Sequence, residues 1–282
     1  MVLAEPLLRV LTLDEAPAAN AFIKKVGWDH ALEQTLHYIL WSGKGSFCLD
    51  LDDQIVATAL ALKYSDRLAW IGSVVSDPTY QRRGFARRLM NHVMTYLQGI
   101  DSIILDASTL GFPLYDSMGF QSLYKINVYS GVPQHFELPP SIRPMTADDL
   151  SKVIAMDCEV VGAARPQVFQ WLFETGKGYV STESDAITGY TFTKTHADTL
   201  RLAAWNVGDA AAAEALLQIC SNAAAENGYK LHISIPEPNT HACDIASRHN
   251  LTIDRYVTRM VFGKPPPGHM SDQYGIISFM TG

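Results

Sequence analysis

The sequence has no long apolar run and few cysteines. No stretch approaches the roughly 20 apolar residues that a membrane-spanning helix needs, and the first residues lack the basic start and apolar core of a secretion signal. The four cysteines, Cys48, Cys158, Cys220 and Cys243, lie far apart and form no Cys-x-x-Cys. We therefore expect a cytoplasmic protein with reduced thiols, no membrane association and no bound metal.

Positive charge is also scarce. Lysine and arginine number 22 against 29 aspartates and glutamates, a net charge of −7, so neither nucleic acid nor an anionic membrane is an expected partner. With 48% hydrophobic and 18% charged residues, the composition is globular. The length of 282 residues allows one large or two ordinary domains, since domains usually have about 100–150 residues.

The pattern of apolar residues predicts a layered α/β fold, with a mixed central sheet flanked by helices in each half of the chain. In the first half the predicted strands are 7–13, 47–51, 55–63, 69–76, 102–107 and 120–129. The predicted helices are 14–26, 29–41, 84–98 and 114–118. The helix 84–98 carries Phe85, Leu89, Val93 and Leu97 at every fourth position. We expect that face to be buried.

A basic segment interrupts this acidic chain between the strand 69–76 and the helix 84–98. Residues 81–88 read Gln-Arg-Arg-Gly-Phe-Ala-Arg-Arg. Amide groups at a helix N-terminus have no intrahelical partner and favour a phosphate, and Gly84 allows close approach to the backbone. The alternative is an ordinary solvated helix start. Neither G-x-G-x-x-G nor G-x-x-x-x-G-K-[ST] is present, so Rossmann and P-loop nucleotide sites are not supported.

The segment resembles the pyrophosphate-binding loop of the GCN5-related N-acetyltransferases (GNAT), whose pattern is [Q/R]-x-x-G-x-[G/A]. Gln81, Gly84 and Ala86 fill its three specified positions, and the ending Tyr-x-x-x-Gly-Phe at 115–120 also belongs to the family. The resemblance covers about residues 7–130. It implies an acyltransferase that moves the acetyl group of acetyl-CoA directly to an amine, without an acyl-enzyme.

The resemblance also implies which residues bind acetyl-CoA. The backbone of Val74, Val75 and Ser76 would hold the pantetheine arm and orient the acetyl carbonyl. The pyrophosphate would lie on the residues of the loop and the helix start, which are Gln81, Arg82, Arg83, Gly84, Phe85, Ala86 and Arg87. Ser108 stands where the family often has an asparagine that touches the cofactor, with a hydroxyl but a shorter reach.

Two side chains are candidates for proton transfer. Tyr115 matches the family's tyrosine that protonates the departing CoA sulfur, and its alternative is a packing role. Asp106, at the end of the strand 102–107, is the candidate base, with a capping carboxylate and a water-mediated base as the alternatives. Trp28, between the first two predicted helices, is the candidate substrate-binding residue.

The second half of the chain repeats the first. The pattern Arg-x-x-Thr-x-Asp-[Glu/Asp] begins at residue 9 and again at residue 143, and a helix at 209–227 and a strand at 230–235 correspond to 84–98 and 102–107. A turn-rich segment rich in glycine and proline separates the copies. We predict an acetyl-CoA-binding domain at 1–130, a linker at 131–141 and a GNAT-like domain at 142–282.

The second copy lacks the residues that carry the chemistry. It reads Ala-Trp-Asn-Val-Gly-Asp at 204–209, without arginines, and Asp209 is typical of a helix N-cap. Ala246 stands where the first copy has Tyr115. These features, with Asp157, Arg165 and the ending at 274–279, resemble two-domain GNAT proteins whose degenerate second domain borders the acceptor cleft.

Three functions remain open at this level. The first is acetylation of a primary amine on a small molecule. The others are acetylation of a protein lysine or N-terminus, and a non-catalytic acyl-CoA sensor whose second domain engages a partner. Tyr115 and the intact loop argue against the sensor. We expect a monomer or a homodimer.

Overall fold

The computed structural model describes residues 5–28, 30–80 and 82–282. These residues form two compact units. The first unit consists of Met1–Asp106 with Phe262–Lys264, and the second consists of Ala107–Val261 with Pro265–Gly282. Helices pack on mixed β-structure in each unit, which confirms the predicted fold class.

The first unit has its strands in the order β1-β2-β3-β4-β5. Neighbours are antiparallel except β4 and β5, which are parallel. The elements are β1 (Leu7–Val10), α1 (Ala16–Lys25), α2 (Leu32–Ser42), β2 (Ser46–Leu51), β3 (Gln54–Lys63), β4 (Leu68–Ser76), α3 (Phe85–Tyr96) and β5 (Ser102–Ala107).

Helix α3 confirms the buried face predicted for 84–98. Phe85, Leu89 and Val93 are buried, as is Leu97 directly after the helix, and α3 packs on β2, β3 and β4. Because its apolar residues fall on one stripe, the opposite face carries the arginines into solvent.

The second unit has its strands in the order β12-β6-β11-β10-β9-β8-β7, with β10 and β11 parallel. The elements are α4 (Phe112–Asp116), β6 (Gln121–Gly131), β7 (Ile142–Pro144), α5 (Leu150–Val161), α6 (Pro166–Thr175), β8 (Lys177–Glu183), β9 (Ala186–His196), β10 (Thr199–Val207), α7 (Ala210–Glu226), β11 (Lys230–Pro236), α8 (Thr240–Arg248) and β12 (Thr252–Gly263).

Strand β6 belongs to the second unit, whereas the predicted first domain extends to residue 130. It lies between β11 and β12 and is antiparallel to both. The compact units therefore divide the chain at Asp106, ahead of the turn-rich segment 131–141. β6 pairs with strands about 100 to 140 residues later in the chain, and the composition of the turn-rich segment carries no signal for that pairing.

The segment 131–141 is held along α7. The hydroxyl of Ser221 accepts a hydrogen bond from the backbone N–H of Gln134 at 2.8 Å, and it donates to the carbonyl of the same residue at 2.7 Å. Asn222 does the same for Phe136, accepting at 2.8 Å and donating at 2.9 Å. Two helix side chains thus fix the main chain of the predicted linker.

The repeated sequence pattern is also a repeated structure. In the first unit Arg9 donates to Glu15 at 2.9 Å, and the backbone N–H and hydroxyl of Thr12 donate to the same carboxylate at 2.9 and 2.8 Å. In the second unit Arg143 donates to Asp149 at 2.7 Å, and the backbone N–H and hydroxyl of Thr146 donate to the same carboxylate at 2.8 and 2.9 Å. Each set caps a short helical turn before the next helix, a capping box.

Strands β4 and β10 each contain a bulge at the equivalent position. Ser73 and Ala204 have positive φ angles of 46° and 57°, and each lies at a register shift against the preceding strand. The parallel pairing of β4 with β5 runs over Leu68–Ile71, and that of β10 with β11 runs over Thr199–Arg201. In both units the parallel pairing stops before the bulge.

Some elements begin or end away from the predicted positions. β1 ends at Val10 because Thr12, two residues later, is already the N-cap of the helical turn Leu13–Glu15. α2 begins at Leu32 because Ala31 is extended, with ψ 145°. Pro113 in the first turn of α4 favours an earlier helix start than the predicted residue 114.

Within residues 5–28, 30–80 and 82–282, no helix has both the length and the apolar character needed to cross a bilayer. The same residues contain no cluster of three or more metal-ligating side chains. The four cysteines are free thiols, two of them buried.

Candidate active site

The predicted pyrophosphate loop follows β4 through a turn that Asp77 organises. Asp77 is buried, and its Oδ1 accepts a hydrogen bond from the N–H of Thr79 at 2.8 Å. Its carbonyl accepts from the N–H of Tyr80 at 2.9 Å. Gln81, the first residue of the motif, lies outside the described residues. The turn directs the chain from the end of the strand towards the start of α3.

Gly84 leaves the start of α3 open. It precedes the helix at φ 80°, and a Cβ there would meet no heavy atom within 4 Å. Arg82, also left-handed at φ 61°, is exposed together with Arg83 and Arg87, and Ala86 is half-buried. A helix N-terminus, whose first amide groups have no intrahelical partner, therefore coincides with open space and positive charge, and this combination fits a phosphate.

Tyr80 orders the loop in a way that the motif does not reveal. Its ring lies 5.8 Å from that of Phe85, and the guanidinium of Arg83 lies 5.4 and 5.1 Å from the two ring centres. Arg88 makes a different contact, since its guanidinium donates a hydrogen bond to the backbone carbonyl of Pro6 at 2.8 Å. Arg83 is thus held over the loop, whereas Arg88 ties the helix to the residues before β1.

The end of β4 presents the three residues predicted to face the pantetheine arm. Val75 is buried with Phe22 and Ile23 of α1, while Val74 and Ser76 on the opposite side are half-buried. Among the described residues, the buried hydroxyls of Ser73 and Ser76 have no hydrogen-bond partner. A ligand that carries amide groups would supply polar partners at this strand end.

The end of α1 is joined to the same turn. Lys25 Nζ donates to Asp77 Oδ2 at 2.8 Å. Lys25 is exposed and Asp77 is buried, and this hydrogen bond lowers the pKa of the carboxyl from its usual value. The loop that contains Trp28 therefore begins beside the residue that shapes the turn before the predicted pyrophosphate loop.

Trp28 is 39% exposed at the end of a row of rings. Its ring centre lies 5.9 Å from His30, which lies 6.2 Å from buried Tyr38, which lies 5.9 Å from Trp41. Asn20 holds this loop, because its amide donates to the carbonyl of His30 at 2.9 Å. An asparagine on the otherwise apolar buried face of α1 was the sequence signal for this contact.

Tyr115 lies on α4 in the second unit and is buried. Burial raises the pKa of its phenol well above the usual range. Its ring packs edge-on against Phe120 at 6.0 Å, and a Cβ at Gly111 would lie 3.1 Å from the ring. The hydroxyl of exposed Ser108 accepts a hydrogen bond from the N–H of Gly111 at 3.2 Å, so it serves the turn before α4.

Asp106 is half-buried at the end of β5, where the first unit ends. Tyr115 belongs to the second unit. The roles of both residues as base and acid stay predictions. Burial of the phenol in its protonated form is compatible with donation of a proton.

The second copy, residues 142–282, keeps backbone features of the first copy without the side chains predicted to be functional. The backbone carbonyl of Ala246 accepts a hydrogen bond from the N–H of Leu251 at 3.0 Å. In the same way, the backbone carbonyl of Tyr115 accepts from the N–H of Phe120 at 3.1 Å. Asp209 caps α7 by accepting from the N–H of Ala211 at 3.2 Å, as predicted for an N-cap. A carboxylate thus occupies the helix start where the first unit has its arginines.

Comparison with known families agrees with this duplicated frame. Residues 12–120 match the Acetyltransferase (GNAT) family, and residues 153–275 match a further Acetyltransferase (GNAT) domain. Each match falls on one of the two copies recognised in the sequence.

Three curated relatives have names that class them as acyltransferases. The uncharacterized N-acetyltransferase YitH of Bacillus subtilis is 28% identical over 151 residues, about half of each chain (52% and 53%). The holothin acyltransferase of a Pseudoalteromonas species is 22% identical over 274 residues, which cover 96% of this chain and 92% of that protein. The bS18-alanine N-acetyltransferase of Haemophilus ducreyi is 30% identical over 107 residues, which cover 33% of this chain and 73% of that protein.

Two solved structures share the fold of the whole chain. A solved structure from Pyrococcus horikoshii has a TM-score of 0.85 at 19% identity, and the match covers 100% of this chain and 98% of that one. A tandem GNAT protein from the clavulanic acid biosynthesis pathway has a TM-score of 0.65 at 12% identity and covers 93% and 99%. The chain belongs to the GNAT acetyltransferase family. It is an acyltransferase with two domains of that family.

Proposed function

We propose that the protein transfers the acetyl group of acetyl-CoA directly to a primary amine of a small molecule. The observation that carries the proposal is the start of α3, where left-handed Gly84, open space and exposed arginines coincide. GNAT enzymes in general use acetyl-CoA, and the donor's phosphates match this positive helix start in charge and in hydrogen bonding.

The transfer forms a carbon–nitrogen bond and breaks the carbon–sulfur bond of the thioester. Asp106 or a water accepts the proton that the amine loses, and the buried phenol of Tyr115 gives a proton to the departing thiolate. The backbone at Val74, Val75 and Ser76 orients the acetyl carbonyl. Because the proton of the amine has an acceptor and the departing thiolate has a proton donor, the transfer needs no covalent intermediate on the protein.

Two observations favour a small acceptor. The exposed ring of Trp28 extends a row of rings that suits a compact apolar or cationic molecule. The holothin acyltransferase aligns over almost the whole chain, whereas the bS18-alanine acetyltransferase aligns over a third of it. A protein N-terminus is the second candidate acceptor, because the bS18-alanine acetyltransferase is 30% identical to this chain where they align and the holothin acyltransferase is 22% identical.

A thiol-release assay tests the proposal. Purified protein with acetyl-CoA is offered amines, aminosugars, amino acids and peptides that begin with alanine. We expect release of CoA with a small primary amine and little with the peptides. Release with peptides alone would favour the second candidate, and acetyl-CoA binding without release for any acceptor would favour a sensor. Calorimetry should show one acetyl-CoA per chain, and two sites or none would contradict the proposal.

A further inference from the structure

The bulge of β10 corresponds to that of β4 residue by residue. Ser73 matches Ala204 and Val74 matches Trp205, each 131 positions later, at the same place in the register shift. In the first unit this is the strand edge assigned above to the pantetheine arm. The equivalent edge in the second unit has a partner.

That partner is the chain itself. The N–H of Trp205 donates to the carbonyl of Gly275 at 3.0 Å, and the N–H of Gly275 donates back at 2.9 Å, an antiparallel bridge. One residue later, the N–H of Ile276 donates to the carbonyl of Ser234 in β11 at 3.0 Å. Gly275 and Ile276, within residues 273–282 that we call the tail segment, therefore join the two strands where their parallel pairing has stopped.

The tail segment fits closely between the strands. A Cβ on Gly275 would lie 3.2 Å from the Cβ of Trp205 and 3.4 Å from the side chain of Ile233. Ile276, 1% exposed, packs with Ile126 and Val257. A glycine followed by a buried isoleucine lets the backbone approach β10 while the side chain fills the core.

A buried arginine holds the far end of the tail segment. Arg165 is fully buried and donates to the carbonyls of Thr281 and Gly282. Its other nitrogens donate to Asp157 at 2.9 and 2.7 Å. The Tyr190 hydroxyl donates to the same carboxylate at 3.2 Å. The tail is thus fixed at both strands and at its end.

We propose that the tail segment is a built-in substitute for the pantetheine arm, so that the second unit's cleft is a site for an extended amide-bearing chain that is occupied in cis. The interpretation rests on the proposed acetyl-CoA site of the first unit. A pantetheine arm and a peptide carry the same secondary amides, which pair with a bulged strand edge through one donor and one acceptor. One chain then binds one acyl-CoA, because the second cleft is already filled.

Hydrogen–deuterium exchange of the full chain, with and without CoA, tests this inference. Without ligand, we expect backbone amides at 203–207 to exchange on the order of tenfold more slowly than those at 72–77, since a bridging hydrogen bond protects them. CoA should slow exchange at 72–77 and leave 203–207 unchanged. Fast ligand-free exchange at 203–207, or protection of 203–207 by CoA, would overturn the inference.

A variant pair sharpens the result. Gly275→Val should crowd Trp205 and speed exchange at 203–207, while Gly208→Val, where the nearest atom to an added Cβ is 3.7 Å away, should not. Slow exchange at 203–207 in folded Gly275→Val would contradict the proposed bridge. If that variant does not fold, the wild-type comparison still decides. Slow exchange at 203–207 without any CoA effect at 72–77 would contradict the acetyl-CoA site and leave the tail assignment standing.

Discussion

One carboxylate, that of Asp77, serves two parts of the first unit. Its Oδ2 accepts from Lys25 Nζ at the end of α1 at 2.8 Å, and its Oδ1 accepts from the N–H of Thr79 in the turn that follows β4 at 2.8 Å. The ion pair with exposed Lys25 contributes little by itself. The hydrogen bond to the backbone of a buried turn has a larger structural effect.

We therefore expect Asp77→Ala to weaken acetyl-CoA binding by about tenfold, since losing a hydrogen bond to a charged group costs about 1.5 kcal/mol or more. Asp77→Asn keeps an oxygen for the N–H of Thr79 and should stay within about threefold of wild type. Calorimetric titration measures both. Equal weakening by the two substitutions would show that charge, and not the turn, is what matters.

The capping carboxylates predict an acid dependence. Hydrogen bonding to Arg9 lowers the pKa of Glu15 from 4.5 to about 2. A lowered folded-state pKa means that its contribution to the free energy of unfolding is complete above pH 4.5 and is lost as the pH falls towards 2. Urea unfolding from pH 7 to pH 2.5 should show this loss in wild type.

Glu15→Gln should remove that part of the pH dependence, whereas Asp14→Asn, at the neighbouring exposed position, should keep it. An identical acid profile for Glu15→Gln and wild type would contradict the assignment.

Two substitutions at Gly84 distinguish backbone strain from exclusion of the ligand. Gly84→Ala adds only backbone strain, about 1–2 kcal/mol for a left-handed residue, because nothing lies within 4 Å of the new Cβ. Gly84→Glu adds a carboxylate where the pyrophosphate is expected and should lower acetyl-CoA affinity by at least about 100-fold. Thermal melts and calorimetry distinguish the two effects. Undiminished binding by Gly84→Glu would remove the loop from the site.

Tyr115→Phe tests the proposed acid. We expect kcat to fall by about 100-fold or more, with acetyl-CoA affinity nearly unchanged, since general acid catalysis contributes about 10²–10⁴. Because burial raises the pKa of Tyr115, its phenol stays protonated and should produce no fall in wild-type kcat between pH 7 and pH 9. Unchanged turnover in the variant would return Tyr115 to a packing role.

The Arg165–Asp157 pair predicts a large stability difference. Arg165→Met leaves Asp157 buried without its cation and should cost about 3–5 kcal/mol. The matched change Arg143→Met breaks a pair whose arginine side chain is 41% exposed and should cost about 1 kcal/mol or less. Urea unfolding followed by circular dichroism compares them. Similar losses for the two variants would contradict a buried anchor for the tail segment.

Much of the architecture could be predicted because its signals are local. The stripe of Phe85, Leu89 and Val93 needs only neighbouring turns of one helix to reveal a buried face. The capping boxes lie within seven residues at each occurrence. The loop around Gly84 depends on the conformation of one residue and the helix that follows. Such local features were sufficient to predict two GNAT domains, of which only the first has the intact loop motif.

By itself, the sequence determined where the helices and most strands of the first half lie and which copy keeps the predicted cofactor motif. Only the tertiary structure decided that β6 pairs with strands from far along the chain, that Lys25 reaches Asp77, and that Gly275 bridges Trp205. These contacts join residues about 50 to 140 positions apart, and the pairing of β6 with β12 is the most distant. Their choice depends on the summed packing of whole elements, for which a local pattern carries no signal.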